Sequence, residues 1–74
     1  MIKSIDLHGV KHQDVSRVLD EFLWANMQTK ATEVRIVTGN SEKMKNMVKE
    51  TLLDYNFPSE EEFGNGGVLI VKIK

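Results

Sequence analysis

Two short strands separated by one helix are predicted for the first 38 residues, and this pattern constrains the fold more than any other feature. Ile5 and Leu7 alternate with polar residues, which predicts a strand with one buried face. Residues 34–38 are rich in β-branched side chains and predict a second strand. Between them, apolar residues recur at helical spacing over residues 14–29, with Asp14 as the expected N-cap.

A strand, a helix and a strand of these lengths form a βαβ unit, whose strands are parallel and whose crossover is right-handed. The carboxyl ends of both strands, at His8-Gly9 and Thr38-Gly39, are therefore expected on the same edge of the sheet. Ligands of open α/β sheets bind at that edge. It is the expected place for a functional site.

The second half of the chain predicts one more helix and a hairpin. Apolar residues at the 3.6-residue period follow Asn40 and Ser41, either of which can cap the helix, and Pro58 ends it. Residues 59–63 predict a short acidic edge strand, residues 64–67 a turn, and residues 68–73 the last strand. The expected fold is α/β, in the order β-α-β-α-β-β. It is a two-layer sandwich of a four-stranded mixed sheet with both helices on one face.

The size of the chain limits where a site can lie. Residues 1–74 are expected to form a single stand-alone domain with one thin core, since a chain of this size buries only ~60% of its unfolded surface. Hydrophobic residues make up 41% and charged residues 28%, which is typical of a globular domain that folds without a partner. Any site must therefore lie on the surface or along an edge.

Charge and residue types exclude several classes of function. The net charge is −1, so nucleic-acid binding would need a local basic patch. The chain has no cysteine, which excludes disulfides and thiol catalysis, and its two histidines are too few for a histidine-rich metal centre. Since no long apolar run is present, neither a signal peptide nor a membrane span is expected, and the protein is predicted to be cytoplasmic with no membrane partner.

Asp6 and His8 form the first candidate site. They project together from the polar face of the first strand, where a carboxylate beside an imidazole can act as an acid/base pair or bind an anion. The alternative reading is structural: Asp6 caps a turn and His8 is a half-buried residue at the end of the strand.

The second candidate site is the loop of residues 38–41, which leads into the second helix. A glycine followed by small polar residues at a helix N-terminus leaves backbone N–H groups pointing outward, and these attract phosphate. Lys43 and Lys45 follow in the first turn, and Lys49 extends the same positive side. The alternative reading is a solvated helix face.

Three motifs in a fixed order give the chain a family resemblance. They are Asp6-Leu7-His8-Gly9, then Thr38-Gly39, and finally the glycine-rich residues 64–71. In this arrangement the sequence resembles the small MutS-related (Smr) domain over nearly its whole length. The resemblance implies a fold similar to the C-terminal domain of bacterial translation initiation factor three, with nucleic acid as the ligand. Some Smr domains nick DNA or cleave RNA, and others only bind.

Carried over by position, Asp6 and His8 match the family's D-x-H residues, and these are the catalytic residues that the resemblance implies. The family's second loop usually has another glycine two positions after the first, often preceded by a lysine. Asn40 and Ser41 occupy those places here. Lys43 follows one turn further along the chain, where it can supply the missing positive charge.

The first functional hypothesis is therefore a nucleic-acid-binding domain with endonuclease activity on DNA or RNA. His8 would act as general acid or base, and Asp6 would orient it or help to hold a divalent cation such as Mg²⁺. The expected nucleic-acid contacts are Gly9, Lys11, Thr38, Gly39, Asn40, Ser41, Lys43, Lys45, Gly66 and Gly67.

Two other hypotheses stay open. One is a binding module without catalysis that uses the same edge, or the open face of the sheet with Asp6, Arg35 and Lys72. The other is a small protein-interaction adaptor that presents Trp24 or the acidic residues 60–62 to a protein partner. The acidic residues are also explained by an edge strand that avoids pairing with other sheets.

Overall fold

Four strands and two helices follow one another in the order that the sequence predicts. The computed structural model describes residues 3–74. The elements are β1 (Lys3–Asp6), α1 (His12–Met27), β2 (Glu33–Val37), α2 (Glu42–Tyr55), β3 (Ser59–Glu62) and β4 (Asn65–Lys72).

The four strands form one mixed sheet in the order β1-β2-β4-β3. β1 and β2 are parallel, and β4 is antiparallel to both β2 and β3. The parallel pair follows from the helical crossover between β1 and β2, since parallel neighbours cannot be joined by a tight turn. The predicted mixed sheet is therefore confirmed.

Alternation along β2 separates a core face from an open face. Val34 and Ile36 are fully buried, whereas Glu33 and Arg35, which alternate with them, lie on the opposite face. Both helices pack on the face of Ile36, and the open face carries no helix among residues 3–74. The buried core consists of Leu7, Val15, Leu19, Leu23, Val34, Ile36, Met44, Val48, Leu52, Leu69, Val71 and Ile73.

The start of α1 differs from the prediction. The helix begins at His12, its N-cap is Lys11, and no side-chain hydrogen bond caps it. Asp14 lies inside the first turn, and its backbone N–H donates to the Lys11 carbonyl at 2.8 Å. The expectation that Asp14 is the N-cap was therefore wrong. A carboxylate in the first turn still interacts favourably with the positive end of the helix dipole.

The start of α2 agrees with the prediction. The Ser41 hydroxyl accepts a hydrogen bond from the backbone N–H of Met44 at 3.1 Å, so Ser41 is the N-cap. The helix ends at Tyr55, and Asn56 takes a left-handed conformation with φ of 59°. Pro58 follows two residues later, where it cannot interrupt the helix.

Two strand boundaries also differ. β1 ends at Asp6, so His8 and Gly9 belong to the loop that follows it. The predicted hairpin is confirmed, but its turn is at Phe63 and Gly64, and β4 already begins at Asn65. The chain therefore enters the last strand three residues earlier than the apolar pattern predicts.

Within residues 3–74, neither helix has the length and apolar character that crossing a membrane requires.

A polar contact joins the end of α2 to the middle of α1. The Tyr55 hydroxyl donates to Asp20 Oδ1 at 3.1 Å, and the Tyr55 ring stacks on Phe57 with centroids 5.2 Å apart. Burial raises the pKa of the Tyr55 phenol, and the hydrogen bond and negative charge of Asp20 raise it further. The folded state therefore holds the phenol proton more tightly than the unfolded state does.

We predict that Tyr55→Phe, which keeps the ring but loses the hydrogen bond, lowers the free energy of unfolding by about 1 kcal/mol at neutral pH. Because the folded pKa is raised, this stabilisation is complete below the unfolded pKa of ~10 and is lost as the pH rises through the folded pKa. Urea unfolding of both proteins at neutral pH and above pH ~10 measures the difference. A difference that stays constant into the alkaline range would contradict this assignment.

Candidate functional site

Three segments meet at the carboxyl ends of β1 and β2: the loop after β1, the loop after β2 and the start of β4. The Gly67 carbonyl accepts hydrogen bonds from the backbone N–H groups of Thr38 at 2.8 Å and Gly39 at 3.2 Å. The buried Thr38 hydroxyl lies 3.0 Å from the Gly39 carbonyl and 3.3 Å from the Gly67 carbonyl. The second loop is therefore fixed directly to β4.

The contact between Gly67 and Gly39 is a close approach of two backbones. A Cβ atom on Gly67 would lie 3.1 Å from the Gly39 oxygen and 3.3 Å from its Cα. Only a residue without a side chain leaves this space free, so the glycine at position 67 is explained by packing. Gly67 itself is buried.

His8 contacts the second loop from the other side. A Cβ atom on Gly39 would lie 3.3 Å from His8 Cδ2, so the imidazole rests where a side chain at position 39 would project. Gly39 also has a φ of +69°, a conformation that a residue with a Cβ rarely adopts. The two loops therefore meet, as the parallel pairing of β1 and β2 leads one to expect, and the His8 side chain stays exposed.

Asp6 shapes the turn that carries His8. Its Oδ1 accepts a hydrogen bond from the His8 backbone N–H at 2.8 Å. Within residues 3–74, no side chain or carbonyl is in hydrogen-bond geometry with the imidazole itself. Asp6 therefore positions the backbone beneath His8, which matches the turn-capping reading, while the exposure of His8 differs from the half-buried residue in that reading.

The two lysines of the first turn of α2 have different environments. Lys43 is exposed. Lys45 is only 8% exposed, and its ammonium lies 3.6 Å from Glu42 Oε1. A Cβ atom on Gly66 would lie 3.7 Å from both Lys45 Nζ and Glu61 Oε2. Lys45 therefore packs between α2 and the hairpin, beside two carboxylates.

Neither carboxylate was predicted from the sequence as part of the site. Glu42 could have been found, because residues three apart face each other on a helix. Glu61 could not, because its proximity to Lys45 depends on the path of the hairpin.

The available backbone donors are fewer than expected. Thr38 and Gly39 both donate to Gly67, so their N–H groups are not available to a phosphate. The Met44 N–H donates to the Ser41 hydroxyl and the Lys45 N–H to the Ser41 carbonyl, so Asn40, Glu42 and Lys43 remain as backbone donors. The exposed groups at this edge are His8, Gly9, Lys11, Asn40, Ser41 and Lys43, which we call the rim.

The side chains around His8 offer few ligands for a divalent cation. Among residues 3–74, no three histidine, aspartate or glutamate side chains cluster closely enough to hold a metal ion. Asp6 is the one carboxylate beside His8 that the sequence proposed, and one of its oxygens already serves the turn. The residues near His8 therefore do not fit a metal ion that is held by protein ligands.

The open face of the sheet differs from the rim in its charges. Arg35 forms an ion pair with Glu62 at 3.0 Å, and Lys72 forms one with Glu33 at 3.4 Å. Both cations that were considered for binding on this face therefore already have carboxylate partners.

Comparison with known proteins gives a match to one protein-family model. The model of the Smr domain matches residues 5–74. Searches of curated proteins and of solved structures give no match.

We predict that Gly67→Ala lowers the free energy of unfolding by about 1–3 kcal/mol, because the added methyl group meets the Gly39 backbone. Gly66→Ala is the matched control. Its methyl group would meet only the flexible ends of Lys45 and Glu61 at 3.7 Å, so we expect a change within about 0.5 kcal/mol. Chemical denaturation measures both, and equal effects of the two substitutions would contradict the close approach at Gly67.

Proposed function

Because this chain belongs to the Smr domain family, whose members commonly bind nucleic acid, we propose that it binds nucleic acid at the rim. The observation that carries the proposal is the contact of His8 with Gly39, next to the start of α2. This contact brings an exposed imidazole and a helix N-terminus to one edge. It is the edge where open α/β sheets bind their ligands.

The charges favour the rim over the open face. Lys11 is exposed at the end of the loop that carries His8, and Lys43 is exposed in the first turn of α2. On the open face, Arg35 and Lys72 are each paired with a glutamate. Since the net charge of the chain is −1, attraction for a polyanion must come from such a local arrangement.

A backbone phosphate fits the start of α2. The first N–H groups of a helix have no partner within the helix, and together with the helix dipole they favour an anion. Lys43 in this turn opposes the dipole, and a bound phosphate would offset that cost. Lys45 is buried in the same turn and adds positive charge there, and the carboxylate of Glu42 partly balances that charge.

The exposed imidazole of His8 favours phosphodiester hydrolysis as a second function of the same site. In this step His8 takes a proton from a water molecule, and the water oxygen attacks the phosphorus. The P–O ester bond then breaks, and the leaving oxygen takes up a proton from solvent. Asp6 assists as a positioning residue, because it fixes the turn that holds His8 against Gly39.

We predict that Lys43→Ala weakens binding to labelled DNA and RNA by up to about fivefold at moderate salt, because an exposed ion pair contributes about 0.2–1 kcal/mol. The slope of log affinity against log salt should fall by about one, since one phosphate contact is lost. Lys30→Ala is the control, because this exposed lysine follows α1 at the opposite end of the sheet. Equal behaviour of both variants would remove Lys43 from the interface. If no binding is seen at low salt, the protein-interaction adaptor is favoured. In that case Trp24, whose relative exposure is 62%, is available to contact a protein partner.

We predict that His8→Ala abolishes cleavage of the bound strand but changes affinity less than twofold, because the lysine and backbone N–H contacts to phosphate remain. The assay measures nicking and strand cleavage with and without Mg²⁺. His12→Ala is the matched control, since His12 is exposed at the first residue of α1. Cleavage by His8→Ala at the wild-type rate would rule out a catalytic role for this imidazole.

A further inference from the structure

The tip of the β3–β4 hairpin carries a fully exposed aromatic side chain. Phe63 has a relative exposure of 103%, the highest of the large hydrophobic residues in the described chain. It belongs neither to the buried core nor to the partly buried residues packed against it.

The fold gives no reason for a phenylalanine at this position. Turns favour Gly, Pro, Asn, Asp and Ser, each for a conformational or hydrogen-bonding reason that phenylalanine does not share. An exposed phenyl ring also gains nothing from burial, which is what makes the side chain stabilising elsewhere. A residue type that does not favour the local structure at its position is expected mainly at functional positions.

The hairpin tip extends past the rim. Val68 is the first β4 residue that pairs with β2, opposite Val37. Residues 65–67 continue beyond that pair, and Gly67 contacts Gly39. Three residues at ~3.3 Å each place the turn ~10 Å beyond the end of β2.

Carboxylates next to the tip are near cations. Glu62 is paired with Arg35 at 3.0 Å, and the Glu61 carboxylate lies beside the same side of Gly66 as the Lys45 ammonium. Glu60 pairs with Ile70, two positions further from the tip. Of these three carboxylates, Glu62 alone forms an ion pair among the described residues, so Arg35 lowers the negative charge that a polyanion meets on its way to Phe63.

We propose that Phe63 is a stacking contact for an unpaired base of the nucleic acid bound at the rim. This inference rests on the proposed function, and it adds a preference for single-stranded segments. A base with both faces exposed can stack on the phenyl ring, whereas bases within a duplex already stack on one another. Because every base has an aromatic face, such a contact is tolerant of sequence.

The test uses the full chain, a labelled single strand of about 12 nucleotides in DNA and RNA forms, and a blunt duplex of the same length. We expect Phe63→Ala to weaken single-strand binding roughly fivefold to a hundredfold. Duplex binding should change less than twofold, and the salt slope should stay constant because no phosphate contact is lost. Leu53→Ala is the matched control. Leu53 is 73% exposed in the last turn of α2, far from the rim, and its removal should leave binding unchanged.

A spectroscopic readout separates stacking from an indirect effect. The chain has one tryptophan, so Trp24→Phe removes the intrinsic indole signal. In that background Phe63→Trp should keep single-strand affinity at the wild-type level, and the fluorescence of the new indole should be quenched by the single strand but not by the duplex.

The outcomes distinguish this inference from the proposed function. Wild-type binding that Phe63→Ala leaves unchanged would overturn the stacking contact and leave rim binding in place, and the exposed ring would then fit a protein partner better. Equal weakening of single-strand and duplex binding would also overturn it. If the wild-type chain bound neither form at low salt, both proposals would fall together.

Discussion

The Gly67 carbonyl is the group on which the arrangement of the candidate site depends. It accepts the N–H groups of Thr38 and Gly39, and it can do so only because two glycines allow the backbones to approach closely. This contact ties the last strand to the loop that precedes α2. His8 then rests on the other side of Gly39, so one small residue separates the imidazole from the sheet.

The parts of the fold that depend on local chemistry could be predicted from the sequence. Alternation of Ile5 and Leu7 with polar residues, and the β-branched run of β2, indicated the strands because side chains alternate between two faces. The crossover helix then required parallel strands, which placed His8 and Gly39 at one edge. Asn40 and Ser41 could both be proposed as the cap of α2, because such a cap needs only a backbone N–H two or three residues ahead, and Ser41 is the residue that makes the bond.

Features that depend on distant contacts could not be predicted in this way. Lys45 looked like a surface lysine, but it is buried because the hairpin returns beside α2. The N–H groups of Thr38 and Gly39 looked available, but a carbonyl 28 or more residues later accepts both. The start of α1 was misjudged for a different reason: Asp14 is a good capping residue by type, yet the chain enters the helix two residues earlier, where no side chain caps it.

The bond from the His8 backbone to Asp6 has a consequence for changes at position 8. The carboxylate accepts from the main-chain amide and not from the ring, so the bond that shapes the turn does not depend on which side chain residue 8 carries. The side chain at this position can therefore change while the chain beneath it keeps its path. Loss of the imidazole would alter the chemistry of this edge and leave its architecture intact.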